Sequence, residues 1–240
     1  MQKNIASKQY IQKLKHYFAQ KELITTSDVV DYFALSQPDI SRATVNWRVH
    51  ELVLTGVLER IGRGRFRLGK TRIYHPDLSQ HLGGIFKQIQ EKLPYGKTCI
   101  WSLGWVNEFT QHVFSTSLCV VEAERDMTEA VYHLLKETSP HVFYDIDASF
   151  INEYVLKQDK PILVRKLITD APVQRIDDIT VPTLEKILVD IASDKEFGFL
   201  YGNELNTVFQ NAFGRYTINI SKQIRYAERK GKKAMIQSYH

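Results

Sequence analysis

The stretch Ile40–Leu68 (ISRATVNWRVHELVLTGVLERIGRGRFRL) limits the fold more than any other part of the chain. In its first half Val45, Val49, Leu52 and Val53 fall at i, i+4, i+7 and i+8, the spacing of an apolar helix face. Ser41 stands where an N-cap belongs, and Gly56 where a helix end needs a residue free to take positive φ. Two short runs follow, Val57–Ile61 and Arg65–Leu68, around Gly62-Arg63-Gly64, whose paired glycines suit a hairpin tip. A helix followed at once by a basic hairpin is expected to be the second half of a winged helix-turn-helix. In that motif the helix enters the major groove of DNA and the wing touches the backbone beside it.

The charges point the same way. From Ile40 to Arg72 the basic residues are Arg42, Arg48, Arg60, Arg63, Arg65, Arg67, Lys70 and Arg72, against only Glu51 and Glu59. Opposite the apolar stripe the helix is expected to show Ala43, Thr44, Trp47, Arg48 and Glu51. Small and hydroxyl residues permit close approach to base edges, and Arg48 is suited to read guanine or hold a phosphate. The expected DNA-binding set is therefore Arg42, Ala43, Thr44, Trp47 and Arg48 on the helix, with Arg63, Arg65 and Arg67 on the wing. The plainer reading makes Trp47 a packing residue of its own domain and the arginines a solvated face.

Upstream, Lys8–Gln20 reads as an amphipathic helix and Leu23-Ile24 as a short strand. A second helix, Asp28–Ala34, is capped by Thr26 or Ser27, and a turn runs through Pro38. Helix, helix, turn, helix and wing thus fit into residues 1–72, and the polar passage around His75-Pro76-Asp77 marks a boundary. Residues 78–240 form the second expected domain. It has helices at His81–Leu93, Trp105–Thr110, Glu124–Thr138 and Ser149–Lys157. Thr98–Leu103 is an apolar run in a mixed region, and the strands are Ser117–Glu122, His141–Ile146 and Pro161–Leu167. The rest is helical: one helix starts at Pro182, followed by Glu204–Phe213 and Ser221–Lys230. The expected class is α+β, an N-terminal winged helix-turn-helix domain before a mixed α/β domain with a small sheet and a helical C-terminus.

Charge divides along the same line. Residues 1–72 carry 13 Lys and Arg against 6 Asp and Glu, and the remainder 19 against 21, so the net +5 is concentrated at the N-terminal end. Cys99 and Cys119 show no metal-ligand spacing, which suits a reducing compartment. No apolar run approaches the roughly 18 residues of a membrane helix, and MQKNIASKQY has no signal core. A cytoplasmic protein without membrane contact is expected.

Signals for catalysis are sparse. Carboxylates occur at Glu122, Glu124, Asp126, Asp145, Asp147, Asp177 and Asp178. Asp145-Ile146-Asp147 is the most suggestive, since two acids one residue apart at a strand end can share a metal. It motivates an alternative, a metal-dependent nuclease or nucleotidyl-transferring enzyme guided by the winged module. The pairing of Glu122 or Glu124 with Lys166 is a forced match to a nuclease pattern. His112, His133 and His141 are dispersed, Ser102 and Ser117 have no evident histidine partner, and Gly83-Gly84 fits no phosphate loop. No enzyme, cofactor or metal is expected. The C-terminal cations Lys222, Arg225, Arg229, Lys230, Lys232 and Lys233 either complement a helix dipole or form an auxiliary anion-binding face.

The run TVNWRVHELVLTGVLERIGRGRFRLG resembles the N-terminal winged helix of AbiEi-type antitoxins. The shared pattern is a helix ending Leu52-x-x-x-Gly56, an apolar-Glu-Arg strand (Leu58-Glu59-Arg60) and a Gly62-Arg63-Gly64 wing. The later part is similar in layout, through a Pro182-to-Asp190 helix (PTLEKILVD) and a basic helix from Ile224-Arg225-Tyr226-Ala227. The resemblance implies the antitoxin of a type IV toxin–antitoxin pair. Such a protein binds double-stranded DNA in its own promoter, represses its own operon and counters a nucleotidyltransferase toxin without a stable complex.

Overall fold

A computed structural model describes residues 8–70, 72–111, 113, 117–200 and 203–240; residues 1–7 and His112, one of the dispersed histidines, lie outside them. The protein is α+β. It divides into two compact units, residues 1–74 with 213–224, and residues 75–212 with 225–240. The stretch Phe213–Ile224, which the sequence boundary leaves in the second domain, therefore belongs to the first unit.

Unit 1 runs α1 (Lys8–Tyr17), β1 (Ile24–Thr25), α2 (Thr26–Ala34), α3 (Arg42–Leu54), β2 (Leu58–Gly62) and β3 (Arg65–Leu68). The cap of α2 is Thr25 rather than Thr26 or Ser27. Its hydroxyl accepts from the Asp28 N–H while the Asp28 carboxylate accepts from the Thr25 N–H, a capping box that satisfies two helix-end donors. Ser41 caps α3 as expected, its hydroxyl accepting from the Thr44 N–H. At the far end Gly56 takes φ 67°, with Gly56 N–H donating to Val53 O and Val57 N–H to Leu52 O. That Schellman ending turns the chain straight into β2. The three strands form an antiparallel sheet in the order β1-β3-β2. Val45, Val49 and Leu52 of α3 pack with Leu14, Phe18, Phe33 and Phe66 in one apolar core, while Val53 is only half-buried.

The returning segment is stitched into this unit by Thr217. Its hydroxyl accepts from the Lys70 N–H at 2.7 Å and donates to the Gly56 carbonyl at 3.1 Å, and its own N–H donates to Arg72 O at 2.8 Å. Thr217→Val keeps the shape but strands a buried carbonyl and an N–H. It should destabilise unit 1 by about 1–3 kcal/mol in urea unfolding; a loss near zero would show that this segment does not hold the unit together.

In unit 2, α4 (Gln80–Lys92) precedes β4 (Thr98–Ser102), and a 3-10 turn (Leu103–Glu108) leads toward β5 (Cys119–Ala123). There follow α5 (Thr128–Lys136), β6 (Val142–Tyr144), α6 (Ala148–Glu153) and β7 (Ile162–Lys166). The sheet order is β4-β5-β7-β6, with β4 antiparallel to β5 and β5, β7 and β6 parallel. One face, with Ile100, Val121 and Val164, packs on α4 and α5. Then comes a hairpin that the sequence pattern does not announce, β8 (Val173–Ile176) and β9 (Ile179–Pro182). Asp177 and Asp178 form its turn at φ 46° and 64°, the positive values that a type I′ turn requires at both central positions. Pro182 does not open a helix; it ends β9 opposite Val173. The helix is α7 (Leu184–Ser193), buried at every position from Leu184 to Ala192. The last helices are α8 (Asn203–Arg215), α9 (Ile220–Arg229) and α10 (Lys233–Gln237). Among the described residues no helix is long and apolar enough to cross a membrane.

Candidate nucleic-acid interface

Helical geometry turns each residue by about 100°, and the buried stripe Val45, Val49, Leu52 sets the phase of α3. Directly opposite lie Ala43, Trp47, His50 and Leu54, with Asn46 to one side; Arg42, the first residue of the helix, lies toward the stripe, and all six are exposed. Trp47 retains 51% of its surface, which removes the reading that packs it in its own domain. Asn46 and His50 are not among the residues expected from sequence, although the same rotation arithmetic started from Val45 would place them here. Asn is the residue that pairs bidentately with adenine.

Arg48 does not belong to this outward arc. It sits beside the buried stripe, its guanidinium 4.6 Å from the centre of the Phe33 ring and donating to Gln37 Oε1 at 3.1 Å. It fastens α3 to the end of α2 and the turn after it. Thr44 is half-buried, its hydroxyl sharing a 2.9 Å hydrogen bond with that of Ser41. Arg42 and Ala43 are exposed at the start of the helix.

At the hairpin, Gly64 takes φ 66° at the tip and leaves Arg63 and Arg65 exposed, without an ion pair or side-chain hydrogen bond among the described residues. Arg67 differs from them. It lies opposite Glu59 in the β2–β3 register and grips that buried carboxylate bidentately at 2.9 and 2.8 Å. The Glu59 hydrogen bonds push the Arg67 guanidinium's pKa further up, although burial opposes them. Arg60 lies over the Phe66 ring at 5.2 Å. The available cations around α3 and the hairpin tip are thus Arg42, Arg63 and Arg65.

The returning segment adds Arg215 and Lys222 and no acid, so unit 1 carries +9 and unit 2 carries −4 of the total +5. The polarity that the sequence suggests is sharper once the chain is divided by structure.

Unit 2 places its charges differently. Asp145 and Asp147 are exposed at the end of β6, and among the described residues no three His, Cys, Asp or Glu side chains gather as metal ligands. Glu122 is fully buried and faces away from Lys166, whose register partner is Ala123. Ser102 caps the 3-10 turn through the Gly104 N–H, and His133 lies 3.8 Å from Glu129 on the surface.

Glu122 instead joins a largely buried ionic network on the second face of the sheet. Lys186 Nζ lies 2.6 Å from Glu122 and 2.5 Å from Asp190; Arg165 reaches Glu122 at 3.2 Å and Asp194 at 2.6 Å. Lys230 lies 2.7 Å from Asp190 and also pairs with Asp194, and the Tyr226 hydroxyl donates to Asp190 at 2.8 Å. Three acids meet three bases. Of the C-terminal cations expected either to complement a helix dipole or to form an anion-binding face, Lys230 is therefore committed to this network, its side chain 7% exposed, while Arg229 pairs with Asp170 and Lys233 with Glu228.

Residues 44–240 match a protein-family model. The chain belongs to DUF6577, a family of unknown function. The part shared with DUF6577 begins at Thr44 inside α3, so it takes in Asn46, Trp47, His50, the hairpin and all of the ionic network, while Arg42 and Ala43 precede it. No curated protein matches the chain.

Proposed function

We propose that this DUF6577 protein is a sequence-specific double-stranded DNA-binding transcriptional regulator. In this reading unit 1 is a winged helix-turn-helix, with α3 in the major groove and the β2–β3 hairpin as the wing. The observation that carries it is the exposed arc Ala43, Asn46, Trp47 and His50, together with exposed Arg42 at the start of the helix and the unpaired hairpin cations Arg63 and Arg65, on a unit of charge +9. Asn46 and Trp47 supply base-edge contacts, Trp47 by apolar contact with thymine methyl groups, and the arginines hold phosphates. Arg48 and Arg67 shape the surface from within.

The fuller form of the reading is an AbiEi-like antitoxin of a type IV pair. It represses its own operon from the cytoplasm and counters a nucleotidyltransferase toxin without a stable complex. Its work in this reading is binding rather than catalysis, and nothing in the geometry of Asp145 and Asp147 favours the nuclease alternative. The test is binding to DNA from immediately upstream of its own gene against scrambled DNA across a salt series. A preference of about 10³-fold or more is expected, the lower end of specific regulators. Equal, steeply salt-dependent binding to both would reduce the protein to a non-specific basic module.

A further inference from the structure

A cleft of about 530 Å³ opens in unit 2 between the first turns of α4, the loop after α5 and the loop leading into β7. Its size falls within the roughly 300–1,000 Å³ of small-molecule sites. Its floor is apolar, made by Ile85, Leu135 and Ile162, all buried. Its walls are ionisable: His81, His141, Asp159 and Lys160, none of which has a side-chain hydrogen bond or ion pair among the described residues. A hydrophobic floor under a few polar groups that no other side chain engages is the usual composition of a ligand site.

Gly84 adds an independent observation. It lies within α4 and lines the cleft, and a Cβ built there meets no atom within 4 Å. Packing in the protein does not require a glycine, and alanine would make a stronger helix. What the bare backbone provides is room for an occupant to approach the helix closely.

We infer that this cleft binds a nucleoside or nucleotide. A flat heteroaromatic ring covers the Ile85–Leu135–Ile162 floor against Gly84, with the two imidazoles available for stacking. Asp159 supplies an acceptor for ring N–H or amino donors, and Lys160 a cation for a ribose phosphate. The site gives unit 2 an effector and does not depend on unit 1 binding DNA, so each assignment is tested separately.

The experiment is calorimetric titration of the full chain with adenosine, guanosine, cytidine, their 5′-monophosphates, and inorganic phosphate alone. At least one nucleoside or nucleotide is expected to bind with Kd below about 1 mM, and phosphate alone to bind far more weakly. Gly84→Leu, which fills the cleft, should weaken that binding by about tenfold or more while leaving the unfolding temperature nearly unchanged. Asp159→Asn, at an exposed position, should weaken nucleosides and nucleotides alike, and Lys160→Ala the monophosphates selectively. No heat with any nucleoside or nucleotide overturns the inference, as does binding that both Gly84→Leu and Asp159→Asn leave intact. Phosphate binding as tightly as the nucleotides would overturn the ring site. Should Gly84→Leu fail to fold, the Asp159→Asn titration decides alone.

Discussion

Lys186→Met should cost unit 2 about 3–5 kcal/mol, the range for removing one member of a buried ion pair. Lys186 has no exposure, and its ammonium is shared between the Glu122 and Asp190 carboxylates at 2.6 and 2.5 Å. Methionine fills similar space but leaves three acids facing two bases around a buried centre, with Glu122 and Asp190 fully out of solvent. Asp190 keeps Lys230 and Tyr226, whereas Glu122 keeps only Arg165, at 3.2 Å. The loss arises from desolvated charge rather than from packing, so Glu122→Gln added to Lys186→Met should recover much of it. Urea unfolding followed by Trp101 and Trp105 in a Trp47→Phe background reads unit 2 selectively, since the chain's third tryptophan lies in unit 1. A single-variant loss under about 1 kcal/mol, the range of a surface pair, would remove the network from the stability of the fold.

The same network sets a pH window. Burial alone would raise the Asp190 carboxyl, but Lys186, Arg165 and Lys230 outweigh it and hold the group well below its ordinary 3.8. Burial alone would lower the Lys186 ammonium, but Asp190 and Glu122 outweigh it and hold the group above its ordinary 10.5. Asp190 thus contributes stability that is fully present above pH 3.8 and is lost as pH falls through its depressed folded value. Lys186 contributes stability that is present below pH 10.5 and is lost as pH rises through its elevated folded value. Unit 2 should hold a plateau across neutral pH, and Lys186→Met should move its acid unfolding upward.

Where a periodic pattern is local and clean, the sequence and the structure agree. Leu82, Ile85, Phe86 and Ile89 announce α4, and the apolar runs around Val120 and Val164 announce β5 and β7. The β8–β9 hairpin stays hidden because its turn uses Asp177-Asp178, where sequence signals favour glycine or asparagine, and because Pro182 suits a helix start as well as a strand end. On the outward face of α3, residue type misleads at one position. Arg48 looks like a groove residue by type, but its angle puts it against Phe33. The ionic network is beyond local reading altogether, since Glu122, Arg165 and Lys186 come from three separate elements and Lys230 from the turn after α9, and each resembles a surface charge in sequence. Arg67 shows the same limit on a smaller scale, because only the strand register reveals that Glu59 faces it.

That distinction between free and committed arginines makes the wing testable. Every phosphate that a variant no longer neutralises in a DNA complex should flatten the slope of log affinity against log salt by about 0.9. Arg63→Ala with Arg65→Ala should therefore flatten it by about 1.8, with affinity falling alike on upstream and scrambled DNA, because phosphate contacts carry no sequence information. Arg67→Ala removes the same formal charge two residues further along the strand but should leave the slope unchanged. Its cost should appear in folding instead, about 1–3 kcal/mol in urea, because the Glu59 carboxylate, 5% exposed, is left without its bidentate partner. A general electrostatic attraction to the +9 unit would make the three arginines equivalent. If Arg67→Ala flattens the slope as each of the others does, net charge rather than a wing binds the DNA. If the double variant keeps the wild-type slope, the hairpin stands outside the interface and the winged reading of unit 1 fails.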